Sequence, residues 1–169
     1  ASFHYLSPWW EEYSYVENHF ARVNAAITRG KPVVKVGVIH PIESYWMNFG
    51  PESITGNLRE EIDSKFDNII KWLLFGTIDF DLICESSLSQ MGSIGEGKFN
   101  VGKMSYSVII VPGCKTLRRK TFDMLSEFIQ KGGRVIFLGD VPKYIEAVLS
   151  CEVKKLCDKA EIVAFDRYS

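Results

Sequence analysis

Histidine is scarce in this 169-residue chain and confined to its start: His4, His19 and His40 are the only three. No residue after His40 can therefore supply an imidazole base. Cysteine is sparse too, with Cys84, Cys114, Cys151 and Cys157. None forms a Cys-x-x-Cys pair, and no histidine stands at zinc-ligand spacing from two of them, so no metal site is expected. Cys84 lies in an apolar strand-like run and is expected to be a small buried hydrophobe. Cys151 and Cys157 could pair only if the local loop brings them together. The expected setting is reducing and cytoplasmic. Apolar runs long enough to cross a bilayer are missing, which excludes a helical membrane span. An excess of basic charge is missing as well: 20 Lys and Arg face 21 Asp and Glu, for a net charge of −1. Nucleic acid is thus not an expected partner. No internal repeat or low-complexity segment occurs.

What is present is apolar material, 46% of the chain, in a length that suits one ordinary domain with a real core. Its most legible stretch runs from Ser107 to Asp140. Val108 to Val111 form an unbroken apolar run, as strands buried on both faces do. Pro112 and Gly113 end it. Thr116 is the expected helix N-cap, with Thr121 as a later alternative. Leu117, Phe122, Leu125, Phe128 and Ile129 then recur at helical spacing. Gly132 and Gly133 stop the helix. Val135 to Leu138 make a second buried strand. This is one βαβ unit.

Elsewhere, Trp9 to Arg29 has helical periodicity behind an aromatic lead-in that includes Phe3, Tyr5 and Trp10. Val33 to Ile39 reads as the first strand, followed by a loop to about Thr55. Asn57 to Phe75 reads as a second helix, with Leu58, Ile62, Phe66, Ile69, Ile70, Leu73 and Leu74 on its apolar face, and Phe80 to Cys84 as a second strand. Gly92 to Gly102 is expected to form a mobile surface turn or hairpin, with Lys98 to Val101 extended. A short helix over Pro142 to Leu149 and a last strand over Glu161 to Phe165 complete the pattern. Alternating helices and strands predict a doubly wound, mainly parallel α/β sheet in flavodoxin-like order, 2-1-3-4 with possible additions.

Two segments carry a family resemblance: His40-Pro-Ile-Glu-Ser-Tyr-Trp46 after a strand, and Val111-Pro-Gly-Cys-Lys-Thr-Leu117 before a helix. They resemble the class I glutamine amidotransferase-like domain of large bacterial glycoside hydrolases. Those are the α-L-rhamnosidase type and, more distantly, the β-galactosidases with a trimerisation domain. The stretch from Ser7-Pro-Trp-Trp-Glu-Glu-Tyr to Arg29-Gly-Lys-Pro32 is similar to the helix that leaves the catalytic barrel of such enzymes. The resemblance implies an excised accessory domain, with residues 1–31 as the lead-in from an upstream barrel and 32–169 as the α/β domain. It implies as partners that barrel, a homo-oligomer or carbohydrate, and no cofactor.

The departure from the amidotransferase pattern is informative. Such enzymes need Gly-x-Cys-x-Gly and a downstream histidine. Here Gly113 precedes Cys114, but Thr116 replaces the second glycine. A thiol without a base stays protonated. Strand ends collect His40, Glu43, Glu85, Gly113, Cys114 and Asp140 as candidate ligand-facing residues, with Tyr45, Trp46 and Phe49 after the His-Pro turn as candidates for sugar stacking or for packing on a neighbouring barrel or subunit. His40 and Glu43 could form an acid/base pair, and Glu43 with Asp140 is the only carboxylate pair to propose for glycoside cleavage. No catalytic residue is assigned. Two alternatives stay open: an amidotransferase-like or hydrolase enzyme using Cys114 or His40 with Glu43, and a flavodoxin-like small-ligand module. The Gly92 to Gly97 stretch lacks phosphate-loop spacing. Lys115, Arg118, Arg119 and Lys120 are expected to form a solvated face or an inter-domain salt-bridge surface, with anion binding as the lesser alternative.

Overall fold

Short unbroken apolar runs become adjacent parallel strands, and their side chains alternate between two buried faces. The structure, a computed structural model, describes residues 4–167, so Phe3 lies outside the described residues. Contacts divide the chain into two compact units, Ala1–Val33 and Val34–Ser169. In the first, helix α1 spans Tyr13–Ile27. None of its residues is buried, and Trp9, Trp10, Tyr15, Phe20 and Ile27 are exposed.

The second unit is built on β1 (Val36–Ile39), followed by α2 (Ile42–Met47) and the long α3 (Glu52–Phe75). Strand β2 (Phe80–Ile83) leads to a 3-10 turn and to α4 (Leu88–Met91). Three short strands follow: β3 (Gly92–Gly95), β4 (Lys98–Val101) and β5 (Met104–Tyr106). Then come β6 (Val108–Pro112), β7 (Thr116–Leu117), α5 (Arg119–Gln130) and β8 (Arg134–Leu138). The chain continues through β9 (Tyr144–Ile145), β10 (Val148–Leu149), α6 (Glu152–Cys157) and β11 (Glu161–Val163).

The central sheet has five strands in the order β11-β8-β6-β1-β2, with every ladder parallel. Counted in chain order among themselves, these strands lie 2-1-3-4-5. Val36 pairs with Val108 and Val108 with Arg134, so the three central strands run in step and end at one edge. Side chains alternate across the sheet. Ile39, Ile109, Val111, Val135 and Phe137 face one core, shared with α5 and α6. Val38 and Ile110 face the other, formed with Ile69 and Leu73 of α3. Both faces are covered, as parallel sheets require.

Several expectations are corrected. The stretch from Gly92 to Gly102 does form the expected hairpin, with Lys98–Val101 extended as β4, but it is a packed part of a three-stranded antiparallel sheet, β3-β4-β5, rather than a mobile surface turn. Phe99 of β4 is fully buried, and its ring meets Phe128 of α5 edge to face at 5.7 Å. The stretch from Pro142 to Leu149 is a hairpin, because β9 adds to β7 as a parallel partner. Its turn residues Glu146 and Ala147 both have positive φ, 51° and 62°. Tertiary bonds hold that conformation: Ala147 N–H donates to Thr116 Oγ1 at 3.0 Å, and Glu146 accepts from Arg119 N–H at 2.8 Å. The loop expected after His40 contains α2, and α6 was not anticipated. Leu58 and Leu74 of α3 are exposed rather than part of its buried face. Cys84 is exposed, because it follows an edge strand that has a neighbour on one side only.

Gly133 marks the tightest approach in this half. A Cβ there would lie 2.2 Å from the ring of Phe128, which has no room to move. Overpacking of this kind costs about 1–3 kcal/mol. Gly133→Ala is therefore expected to lower unfolding stability by that amount in urea titrations. A loss below about 0.5 kcal/mol would show that the Phe128 ring can yield.

Candidate functional site

The loops after β1, β6 and β8 meet at the carboxyl edge of the sheet, beside the point where strand order reverses between β1 and β6. Ser44 of α2, fully buried, stitches two of them together. Its Oγ accepts from the N–H groups of Lys115 at 2.9 Å and Thr116 at 3.2 Å. One turn later, Asn48 Nδ2 donates to the carbonyl of Ser44, and its Oδ1 accepts from Lys115 Nζ at 2.7 Å.

Two cavities open on this edge. One, of about 440 Å³, is lined by Gly113, Cys114 and Lys115 after β6, and by Asp140, Lys143 and Tyr144 after β8. Its third wall is α3, through Leu58, Glu61, Ile62 and Lys65. Lys65 Nζ bridges Glu61 at 2.6 Å and Asp140 at 3.0 Å. Those hydrogen bonds, Glu61 first, raise the Lys65 pKa against the lowering effect of burial. The other cavity, of about 410 Å³, is lined by Glu43, Trp46, Arg118 and Glu146. Glu43 Oε1 accepts from Arg118 Nε at 2.7 Å, while its Oε2 is buried without a partner.

The expected site residues thus divide. Gly113, Cys114 and Asp140 share the first cavity, whereas Glu43 and Trp46 line the second. His40 packs its ring against Phe66, with centroids 4.9 Å apart. The Glu43 carboxylate is engaged by Arg118, which leaves no His40–Glu43 acid/base bond at this edge. Glu43 and Asp140 line different cavities. The Tyr45 and Phe49 rings that follow the His-Pro turn sit around Arg59, at 5.9 and 5.3 Å, and Arg59 also pairs with Glu52.

Cys114 is only 6% exposed. Burial pushes its thiol well above the ordinary value, and the nearby charge of Glu85 adds to the effect. A nucleophile needs the opposite shift. Cys151 and Cys157 are both free thiols, the first exposed and the second buried.

Sequence reasoning placed Glu85 at a strand end but missed its role. Its carboxyl is 2% exposed and accepts from Arg118 N–H at 2.8 Å. Glu85 and Glu146 together satisfy the first two N–H groups of the α5 start and place negative charge at the positive end of its dipole. Thr116, the expected N-cap, belongs to β7 instead, and Thr121 lies inside α5. The hydroxyl of Thr121, buried and without a hydrogen-bond partner, acts to lower the Glu85 pKa. Burial dominates and raises the Glu85 pKa to about 7. The basic run Arg118 to Lys120 is neutralised in part by carboxylates from elsewhere, with Arg119 forking onto Glu152 at 2.9 and 3.2 Å.

No protein-family model matches the chain, and searches of curated proteins and of solved structures found no match. Among the described residues, no cluster of three or more His, Cys, Asp or Glu could hold a metal ion. No helix there is long and apolar enough to cross a membrane.

The raised Glu85 pKa has a definite sign. The native state holds a proton that the unfolded chain has lost between about pH 4.5 and 7. That contribution to stability therefore falls as pH rises through this window and is gone above it. Glu85→Gln is expected to gain up to about 3 kcal/mol over wild type at pH 8 relative to pH 4.5. Urea titrations of both proteins across that range measure it. A difference that stays constant with pH would refute the assignment. Alkylation by iodoacetamide, followed by mass spectrometry, is expected to modify native Cys84 and Cys151 at least about tenfold faster than Cys114 and Cys157. Native labelling of Cys114 at the rate seen in urea would contradict its burial.

Proposed function

We propose that this chain is a non-catalytic accessory domain of a larger carbohydrate-active protein. Its architecture would be flavodoxin-like, of the class I glutamine amidotransferase type. Its roles would be in side-chain packing against an upstream catalytic barrel, in oligomerisation, or as a wall of a sugar site, in the cytoplasm. The observation that carries the non-catalytic part is Cys114: the cysteine in the turn after β6 is buried and its thiol is pushed up, away from thiolate. The 2-1-3-4-5 strand order supports the architecture. The exposed aromatic residues around α1, Trp9, Trp10 and Phe20 among them, suit a surface that another domain covers. The bacterial glycoside hydrolase origin rests on the two motifs at His40 to Trp46 and Val111 to Leu117.

A second reading, a small-ligand-binding module, is favoured by the 440 Å³ cavity at the strand ends. The enzymatic alternatives, through Cys114 or through His40 with Glu43, meet a protonated buried thiol and a carboxylate already held by Arg118.

Two measurements test the accessory reading together. The purified chain is expected to leave a panel of nitrophenyl glycosides and glutamine uncleaved, while the coding sequence upstream encodes a hydrolase barrel. Turnover that Cys114→Ser or Glu43→Gln abolishes would overturn the non-catalytic part. An upstream frame with no barrel would overturn the carbohydrate-active part.

A further inference from the structure

The cavity between α3 and the loops after β6 and β8 has a charge pattern that its own side chains do not balance. Lys65, Lys115 and Lys143 all line it, against the carboxylates Glu61 and Asp140. Both carboxylates are already engaged by Lys65. Lys115 is held only by the neutral amide oxygen of Asn48. Among the described residues, neither Lys115 nor Lys143 has a carboxylate partner. Two lysines without a carboxylate partner thus line one concave surface. Their placement is not the accident of long side chains alone. Lys115 is anchored through its backbone N–H by buried Ser44 and through its Nζ by buried Asn48. Lys143 is anchored by its N–H, which donates to the Lys115 carbonyl at 3.0 Å. The two cationic residues are therefore fixed to each other as well as to the sheet edge.

We propose that this cavity binds a small hydroxylated anion, with Lys115 and Lys143 taking its phosphate or carboxylate group and Asp140 and Glu61 accepting from its hydroxyls. Charge-assisted bonds from ammonium groups are the stronger class of hydrogen bond and set the preference for an anion. Leu58, Ile62 and Val141 supply the apolar part of the wall. About 440 Å³ suits a molecule the size of one phosphorylated or oxidised sugar ring. The site stands whether or not the domain serves a larger enzyme, since it rests on this unit's own residues.

Titration calorimetry with inorganic phosphate, glucose 6-phosphate, gluconate and glucose tests the proposal. Saturable binding tighter than about 1 mM is expected for glucose 6-phosphate or gluconate. Preference between those two distinguishes a phosphate from a carboxylate ligand. Lys115→Met and Lys143→Met are each expected to weaken it about tenfold or more. Lys120→Met, on the exposed start of α5, is expected to leave it unchanged. Lys143 is exposed, so its variant tests the site even if loss of the Lys115–Asn48 bond disturbs folding. Three results would overturn the proposal: no saturable binding of either anion, equal binding of neutral glucose, or anion binding that survives Lys143→Met.

Discussion

The carboxyl edge of this sheet depends on one buried hydroxyl. Ser44 Oγ receives the N–H groups of Lys115 and Thr116, and so ties the helix after β1 to the turn after β6. In a parallel sheet those two loops leave in opposite directions where the strand order reverses, which opens a crevice between them. A hydroxyl can accept two such bonds and still donate one, so one side chain settles both orphan amides. Losing it would leave the buried N–H of Thr116 unpaired, the expensive case for a hydrogen bond, and the part-buried N–H of Lys115 with it. From this stitch follow the direction of Lys115 into one cavity and of Arg118 toward the other.

A second constraint acts three residues on. Helix α5 begins without a local capping side chain. Carboxylates reach it from the turn after β2 and from the β9–β10 hairpin. The price is a carboxyl group held almost dry. Its pKa near 7 records that burial outweighs the bonds it accepts. Burial pushes up the neighbouring Cys114 thiol, and the charge of the same glutamate adds to that shift.

This division explains what could be read in the sequence. Strands β6 and β8 and helix α5 carry local signals: apolar runs, helical spacing and the paired glycines. The β9–β10 hairpin carries none, because Glu146 and Ala147 lack the Asn-Gly type of turn chemistry and are held by Thr116 and Arg119. The cap of α5 was misplaced onto Thr116 for the same reason: the true acceptors lie 33 and 27 residues away. Gly113, Cys114 and Asp140 were legible as strand-end residues, and they do share a cavity. Of the lysines that line it, Lys115 is legible as part of the basic run before α5, while Lys65 and Lys143 are not, since one comes from a helix face and the other from a hairpin.

Thr116 joins these observations. Under the proposed amidotransferase-like reading, its position would hold the glycine that exposes a strained nucleophile. Here it is a buried junction: its N–H reaches Ser44, and its hydroxyl accepts from Ala147. A glycine could make the first bond but not the second. Without the second bond, the positive φ of Glu146 and Ala147 would lose a restraint, and Glu146 its aim at the N–H of Arg119. The residue that closes the turn over Cys114 is thus also the one that sets the start of α5. A single glycine substitution at this position would therefore loosen the helix start rather than restore a nucleophile.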